Sequence, residues 1–328
     1  MRGLPPLCKL QPVYTVQTIL KEECLRRKTR PASQGASCPP FPGRLQILAL
    51  LLVLLSFSGC SRSNPAAPST DTDKGLLRLG YFLNLTHAAA IVGVENGLLE
   101  KQLTPTGGVS VKTFNAGPAA VEALFSEGLD AAYIGSGPAI NAYVRSKGKD
   151  IRIISGATEG GAFLVVDPAI NGPADLKGKK IATPQLGNTQ DIALRTWLKS
   201  KGLATNLQGG GEVSIVPQEN AQTLDTFKSG QIAGAWLPEP WASRLAIEAG
   251  AKVLVDEADL WPERRFPTTV LIVRTDFLRA NPDAVKALVS AHLQATEFLT
   301  INSEQAQRVV NQGLAKATGT PIGDKVLA

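Results

Sequence analysis

At 328 residues, with 44% hydrophobic and 19% charged side chains, the chain is long enough for one large or two medium domains with their own cores. The formal charge of +6 belongs to residues 1–60, which hold eight Lys/Arg against two acids; the remainder is neutral and gives no argument for nucleic acid. Cys8, Cys24, Cys38 and Cys60 are the only cysteines and the body carries only His87 and His292, which excludes a body disulfide and argues against a His-built metal cluster.

Arg44 precedes a thirteen-residue run, Leu45–Phe57, that is apolar except for Gln46 and Ser56. A membrane-spanning helix takes about 20 apolar residues, so the run has the length of a signal-peptide core rather than of an anchor. Ser58-Gly59-Cys60 follows and resembles a lipobox, in which Cys60 becomes the acylated first residue; Phe57 departs from the aliphatic residue usual there. Residues 1–60 are thus expected to be an extension plus a lipoprotein-type signal, with a translation start near Leu25 as one reading. Residues 61–75, rich in Pro, Ser, Thr and Asp, are expected to be a flexible tether.

From Leu76 short apolar runs alternate with helical patterns, the mark of an α/β architecture. Strands are expected at 77–82, 109–114, 130–135, 151–155 and 162–166, with helices over 88–103, 118–127 and 138–146. The pattern then restarts. Strands are expected at 181–183, 213–217, 232–237, 251–255 and 268–274, with helices over 189–202, 221–229 and 241–249 and three more closing the chain. The phrase Leu124–Ala132 has a weak echo in Thr226–Ala235, which suggests two related lobes.

Two stretches have the form strand, Gly/Pro loop, helix: Ile181–Leu194 (IATPQLGNTQDIAL) and Tyr133–Tyr143 (YIGSGPAINAY). In the first, Asn188 or Thr189 is a preferred N-cap. A helix start offers unpaired N–H groups and about half a positive charge, so a facing pair of them suits an anion.

From Leu76 onward the chain resembles the periplasmic solute-binding proteins of ABC importers in the aliphatic sulfonate, taurine and nitrate group. The phrases that carry this are Leu79–His87, Thr113–Pro118, Tyr133–Asn141, Thr183–Asp191 and Gly234–Trp241. The resemblance implies a two-lobed periplasmic-binding-protein (type II) α/β fold with two hinge strands: lobe I over 76–165, lobe II over 166–266 and a return to lobe I over 267–328. Relatives usually continue through further helices, so it also implies an incomplete last part of lobe I. It implies a monomer that closes on a small organic oxyanion, aliphatic sulfonate first, and hands it to a permease with its cytoplasmic ATPase. Nitrate, bicarbonate, taurine and a thiamine-pyrimidine precursor stay open as ligands. No cofactor or metal is implied.

The expected ligand contacts are Asn84, Thr86 and His87 after the first strand, the Gly135-Ser136-Gly137 turn, and Gln185, Asn188 and Thr189 on the second lobe. Trp236 is a candidate wall for an alkyl tail and Glu239 a candidate partner for a ligand amine; each has packing as its competing role. Arg264 and Arg265 are read as a solvated pair, and His292 is given no role. His87, with no acid or nucleophile at catalytic spacing, reads as a donor or a packed ring rather than a base. An enzyme on the same fold would carry a cysteine-rich motif, and a ligand-sensing regulator would begin with a helix-turn-helix. The sequence shows neither.

Overall fold

The computed structural model describes residues 75–327. The signal-like run, Cys60 and nearly all of the expected tether lie outside the described residues. The first half of the chain lays down β1 (Leu77–Phe82), α1 (Ala88–Glu95), α2 (Leu98–Leu103), β2 (Val109–Phe114), α3 (Gly117–Phe125), β3 (Ala131–Gly135), α4 (Ser136–Arg145) and β4 (Ile151–Glu159). It then crosses to β5 (Ala162–Val166), β6 (Lys180–Thr183), α5 (Thr189–Ser200), β7 (Ser214–Pro217), α6 (Asn220–Lys228), β8 (Gly234–Pro238), α7 (Trp241–Ala249) and β9 (Lys252–Asp256). The return brings β10 (Pro267–Arg274), α8 (Thr275–Ala280), α9 (Pro282–Ile301), α10 (Ser303–Thr318) and a last turn, Asp324–Leu327. The helix expected over 88–103 breaks at Gly97, whose φ of 65° is left-handed and ends α1 before α2 begins.

Among the described residues ten strands form two five-stranded sheets of the same plan, β2-β1-β3-β10-β4 and β7-β6-β8-β5-β9. Within each, three strands run parallel and the fourth in spatial order is antiparallel to both its neighbours. That fourth strand is the one that has just crossed from the other lobe. The interiors follow from strands apolar on both faces, such as LRLGYF and AAYIG, which helices must cover from two sides. In lobe I, α1, α2, α9 and α10 cover one face and α3 with α4 the other. In lobe II, α5 covers one face and α6 with α7 the other.

The sheets part at Gly160-Gly161, with φ of 70° and 72°. Lobe I therefore ends there and not at 165, because β5 hydrogen-bonds entirely within the second sheet. The outgoing and returning segments are tied side by side. Gly160 N donates to Phe266 O at 3.2 Å, Thr268 Oγ1 donates to Gly160 O, and Glu159 pairs with Arg265 at 2.8 Å. Arg264 is taken up by Asp256 and Asp259. No helix among the described residues is long and apolar enough to cross a membrane.

Candidate functional site

Parallel strands deliver their C-terminal ends, and the helices that follow, to one edge of each sheet. Here the two edges face each other. The first turns of α3 and α4 come from lobe I and those of α5 and α6 from lobe II. Between them lies a small cavity, about 20 Å³, the size of a water site, lined by residues of both lobes. Of the expected contacts, Asn84, Thr86, His87, Gly135, Asn188 and Thr189 line it. Ser136, Gly137, Gln185, Trp236 and Glu239 do not.

Three of these four helix starts have no side-chain cap. Ala116 and Gly135, the N-caps of α3 and α4, have no side chain able to cap, and Glu219 before α6 makes no cap bond. Asn188 is the exception: its Oδ1 accepts from Asp191 N at 2.9 Å, as an N-cap should. Asp191 is buried beside it. It accepts from Thr183 Oγ1 (3.1 Å), Gly187 N (2.9 Å) and Arg195 Nε (2.9 Å), so its charge is spent inside lobe II.

Three buried polar atoms on the cavity wall have no partner: Thr189 Oγ1, Asn220 Oδ1 and Thr269 Oγ1. An unpaired buried polar group costs about 1–3 kcal/mol, and three around one cavity mark a place where something polar belongs. Asn220 and Thr269 were not anticipated, nor were Asn115, Gln190 and Thr268, which complete the polar wall. Asn115 follows β2 as Asn84 follows β1, so the strand-end rule that found one finds the other.

His87 is buried with its ring on Phe82, centroids 4.4 Å apart, and its Nδ1 accepts from Phe82 N at 3.3 Å. Burial drives its pKa down to about 3, so at neutral pH the ring is uncharged and the proton sits on Nε2. Nδ1 faces a backbone amide and not a carboxylate, so the ring lacks the orienting acid of a general base.

Trp236 is fully buried in the core of lobe II, edge-on to Trp197, with Nε1 donating to Glu257 Oε2 at 2.7 Å. Both faces of β8 are covered, so the ring packs inside lobe II and does not line the cavity. Glu239 is likewise turned away. Its Oε1 accepts from Ser243 Oγ (2.8 Å) and its Oε2 from Ser243 N (3.1 Å), which caps α7, and burial raises its pKa. His292 spans Tyr133 Oη (3.1 Å) and Gly156 O (3.0 Å) inside lobe I.

The lobes also touch directly. Asn115 Nδ2 donates to Pro184 O at 3.1 Å, Leu85 N to Glu239 O at 2.9 Å, and Trp241 Nε1 to Asn84 Oδ1 at 3.0 Å. Gly135, the N-cap of α4, abuts Thr189 of α5 so closely that a Cβ there would stand 2.3 Å from Thr189 Oγ1, and at Gly137 a Cβ would be tight against Ile192 at 3.1 Å. These two glycines serve the approach of one lobe to the other.

This geometry has relatives. The model of the NMT1-like family matches residues 71–314. The chain belongs to that family. A Brucella abortus protein named only as a binding protein, with no ligand given, is 30% identical to this family member over 70% of this chain and 69% of its own length. The taurine-binding periplasmic protein of Escherichia coli is 28% identical, over 66% of each chain. Among solved structures, the alkanesulfonate-binding protein of Xanthomonas axonopodis pv. citri, bound to MOPS, superposes with a TM-score of 0.63 at 22% identity, covering 77% of this chain and 82% of that one. The nitrate-binding protein of Synechocystis gives 0.62 at 20% identity, over 73% and 66%. This member of the NMT1-like family thus has the two-lobed α/β fold of periplasmic solute-binding proteins.

Proposed function

We propose that the protein captures a small oxyanion between its lobes as the solute-binding component of an importer, outside the cytoplasm, and delivers it to a membrane permease. The observation that carries this is the wall of the cavity. Four helix starts, three of them without a side-chain cap, surround it together with the unpaired hydroxyls of Thr189 and Thr269. Such groups hold an anion by charge-assisted hydrogen bonds, each worth about 1.5–3 kcal/mol. The partner-free hydroxyls come from both lobes, Thr269 from one and Thr189 from the other, so a bound anion bridges them and favours the closed form. The kinship with binding proteins, the signal-like run and the lipobox-like Ser58-Gly59-Cys60 support an exported, lipid-anchored carrier. The uncharged His87, without a carboxylate partner, supports binding over catalysis.

The test is thermal unfolding of the purified chain with methanesulfonate, taurine, nitrate or bicarbonate. A ligand at one hundred times its Kd stabilises the native state by about 2.7 kcal/mol, a shift of several degrees. A melting temperature unmoved by all four refutes the proposal.

A further inference from the structure

The outer side of α4 is apolar. Ile140, Tyr143 and Val144 share it at helical spacing, from 51% exposed for Tyr143 to 67% for Val144, while Pro138, Ala139 and Ala142 form the buried side. Ile153, on the edge strand β4, extends this surface. It points to the same side of the sheet as Ile151, which packs in the core under α3 and α4, and is itself 56% exposed. Single exposed apolar side chains are ordinary; four together on one flank mark a surface that meets something apolar.

Cations border this patch on the turn that follows the helix. The Tyr143 ring packs over Gly148, where a Cβ would stand 3.0 Å from its Cζ and Oη. Gly148 lies between Lys147 and Lys149, and its carbonyl accepts from Arg152 Nη1 at 2.9 Å. Among the described residues none of these three cations has a carboxylate partner, and the turn carries one acid, Asp150. Arg145, on the opposite flank of α4, is paired with Glu122 of α3 at 2.7 Å. Cations after a helix end complement its dipole, which accounts for the lysines and leaves the apolar face without a reason.

An apolar helix face with a tyrosine at its border and unpaired cations at its end matches the headgroup layer of an anionic bilayer. The alkyl groups enter the acyl boundary while ammonium and guanidinium groups meet lipid phosphates. A protein partner with a plain apolar face would have no use for the surplus charge. We propose that lobe I rests on an anionic phospholipid surface through the outer side of α4 and the turn over 147–152. This rests on the reading of an exported carrier that serves a membrane permease. The start of α4 lines the interlobe cavity, so a body seated this way holds the edge of its cleft beside the bilayer that holds the permease.

The test puts a reporter into the patch of the full chain. Tyr143→Trp, with Val144→Trp as a second reporter, is mixed with excess vesicles of phosphatidylcholine alone or with phosphatidylglycerol, both carrying brominated acyl chains. Bromine quenches only an indole that reaches the acyl region. Emission above that of the parent therefore reports the patch itself, whatever else holds the chain to the vesicle. Phosphatidylglycerol vesicles should quench the added indole and phosphatidylcholine vesicles much less. Adding Lys147→Gln and Lys149→Gln should lower the ratio of docked to free protein about 25-fold, about fivefold per charge, at an unchanged melting temperature. An indole unquenched by either vesicle overturns the proposal and leaves the patch to a protein partner; quenching that is equal with and without the lysines overturns it too. The melting shift with oxyanions is measured without lipid and separates the two readings. Docking that fails beside an intact shift removes this proposal alone, and a missing shift beside intact docking removes the carrier and keeps the membrane surface.

Discussion

Replacing Gly135 by alanine should hold the two lobes apart without harming either. The residue has φ −61° and ψ 145°, an extended conformation that alanine adopts freely, so lobe I has no reason to misfold. A methyl carbon there would stand 2.3 Å from Thr189 Oγ1 and 3.4 Å from Thr189 Cβ, on the opposite lobe. Ordinary van der Waals contact begins near 3.4 Å, so the first distance is short by more than 1 Å. Thr189 can turn its hydroxyl aside only by taking it off the cavity wall, and otherwise the lobes must separate. Overpacking of this kind costs about 1–3 kcal/mol. Charged to the closed form alone, that lowers apparent affinity for methanesulfonate by about 5- to 150-fold. Calorimetry on Gly135→Ala, Thr189→Ala and the double variant separates the causes. Thr189→Ala loses one hydrogen bond but also clears the collision, so the double variant should bind as well as Thr189→Ala by itself. If the two losses simply add, the interlobe contact is not what Gly135 serves, and the reasoning fails.

Thr269→Val removes a buried hydroxyl that has no hydrogen-bond partner. The variant should be at least as stable as the parent in urea, yet bind methanesulfonate about 10- to 100-fold more weakly; lower stability with intact binding would place the hydroxyl in the fold instead. Trp236→Phe leaves the Glu257 carboxyl without its donor and should cost about 1–3 kcal/mol in urea unfolding, with ligand affinity unchanged. Loss of affinity at unchanged stability would restore Trp236 to the ligand wall. Glu257 itself is a pH probe, its pKa pushed from 4.5 to about 7, chiefly by burial. The native state holds that proton more tightly than the unfolded chain, so its contribution is complete below about pH 4.5 and is lost as pH rises through 7. The amount is about 3 kcal/mol. His87 works in the opposite sense: its lowered pKa means stability present above about 6.5 and lost as pH falls towards 3. The two slopes oppose each other between pH 4.5 and 6.5. Glu257→Gln should therefore unmask a fall in melting temperature as pH is lowered from 6.5 to 4.5, and an unchanged pH profile would show that Glu257 titrates normally.

Where the chain's own chemistry is local, it could be read before the structure. Asn188 announces itself as an N-cap because its side chain satisfies an amide three residues on, and runs such as LRLGYF and VSVKTF can hardly be anything but strands. What was illegible depends on a neighbour far away in sequence. Gly135 and Gly137 look like a cradle for oxygen atoms, but a glycine says only that something comes close; here it is the other lobe. Trp236 lies in a strand buried on both faces, so no alternation of polar and apolar residues shows which way it points. Thr268 and Thr269 open a hydrophobic run, TTVLIVR, in which small hydroxyl side chains pass for packing. The sequence pattern starts the helix after β7 at Ala221, one residue past Asn220, where it begins. Glu239 appears free in sequence and is spent on the first turn of the helix it precedes.

The contact between Trp241 and Asn84 gives the molecule a built-in optical gauge. Of the four tryptophans, Trp197 and Trp236 are sealed in the second lobe's interior and Trp261 lies half in solvent on the hinge segment. Trp241 alone bonds to the opposite lobe through its indole N–H. Parting the lobes exchanges that bond for water around the ring, which moves indole emission to longer wavelength. Unlabelled protein can therefore report its own opening and closing in a stopped-flow cuvette, with Trp241→Phe as the silent control.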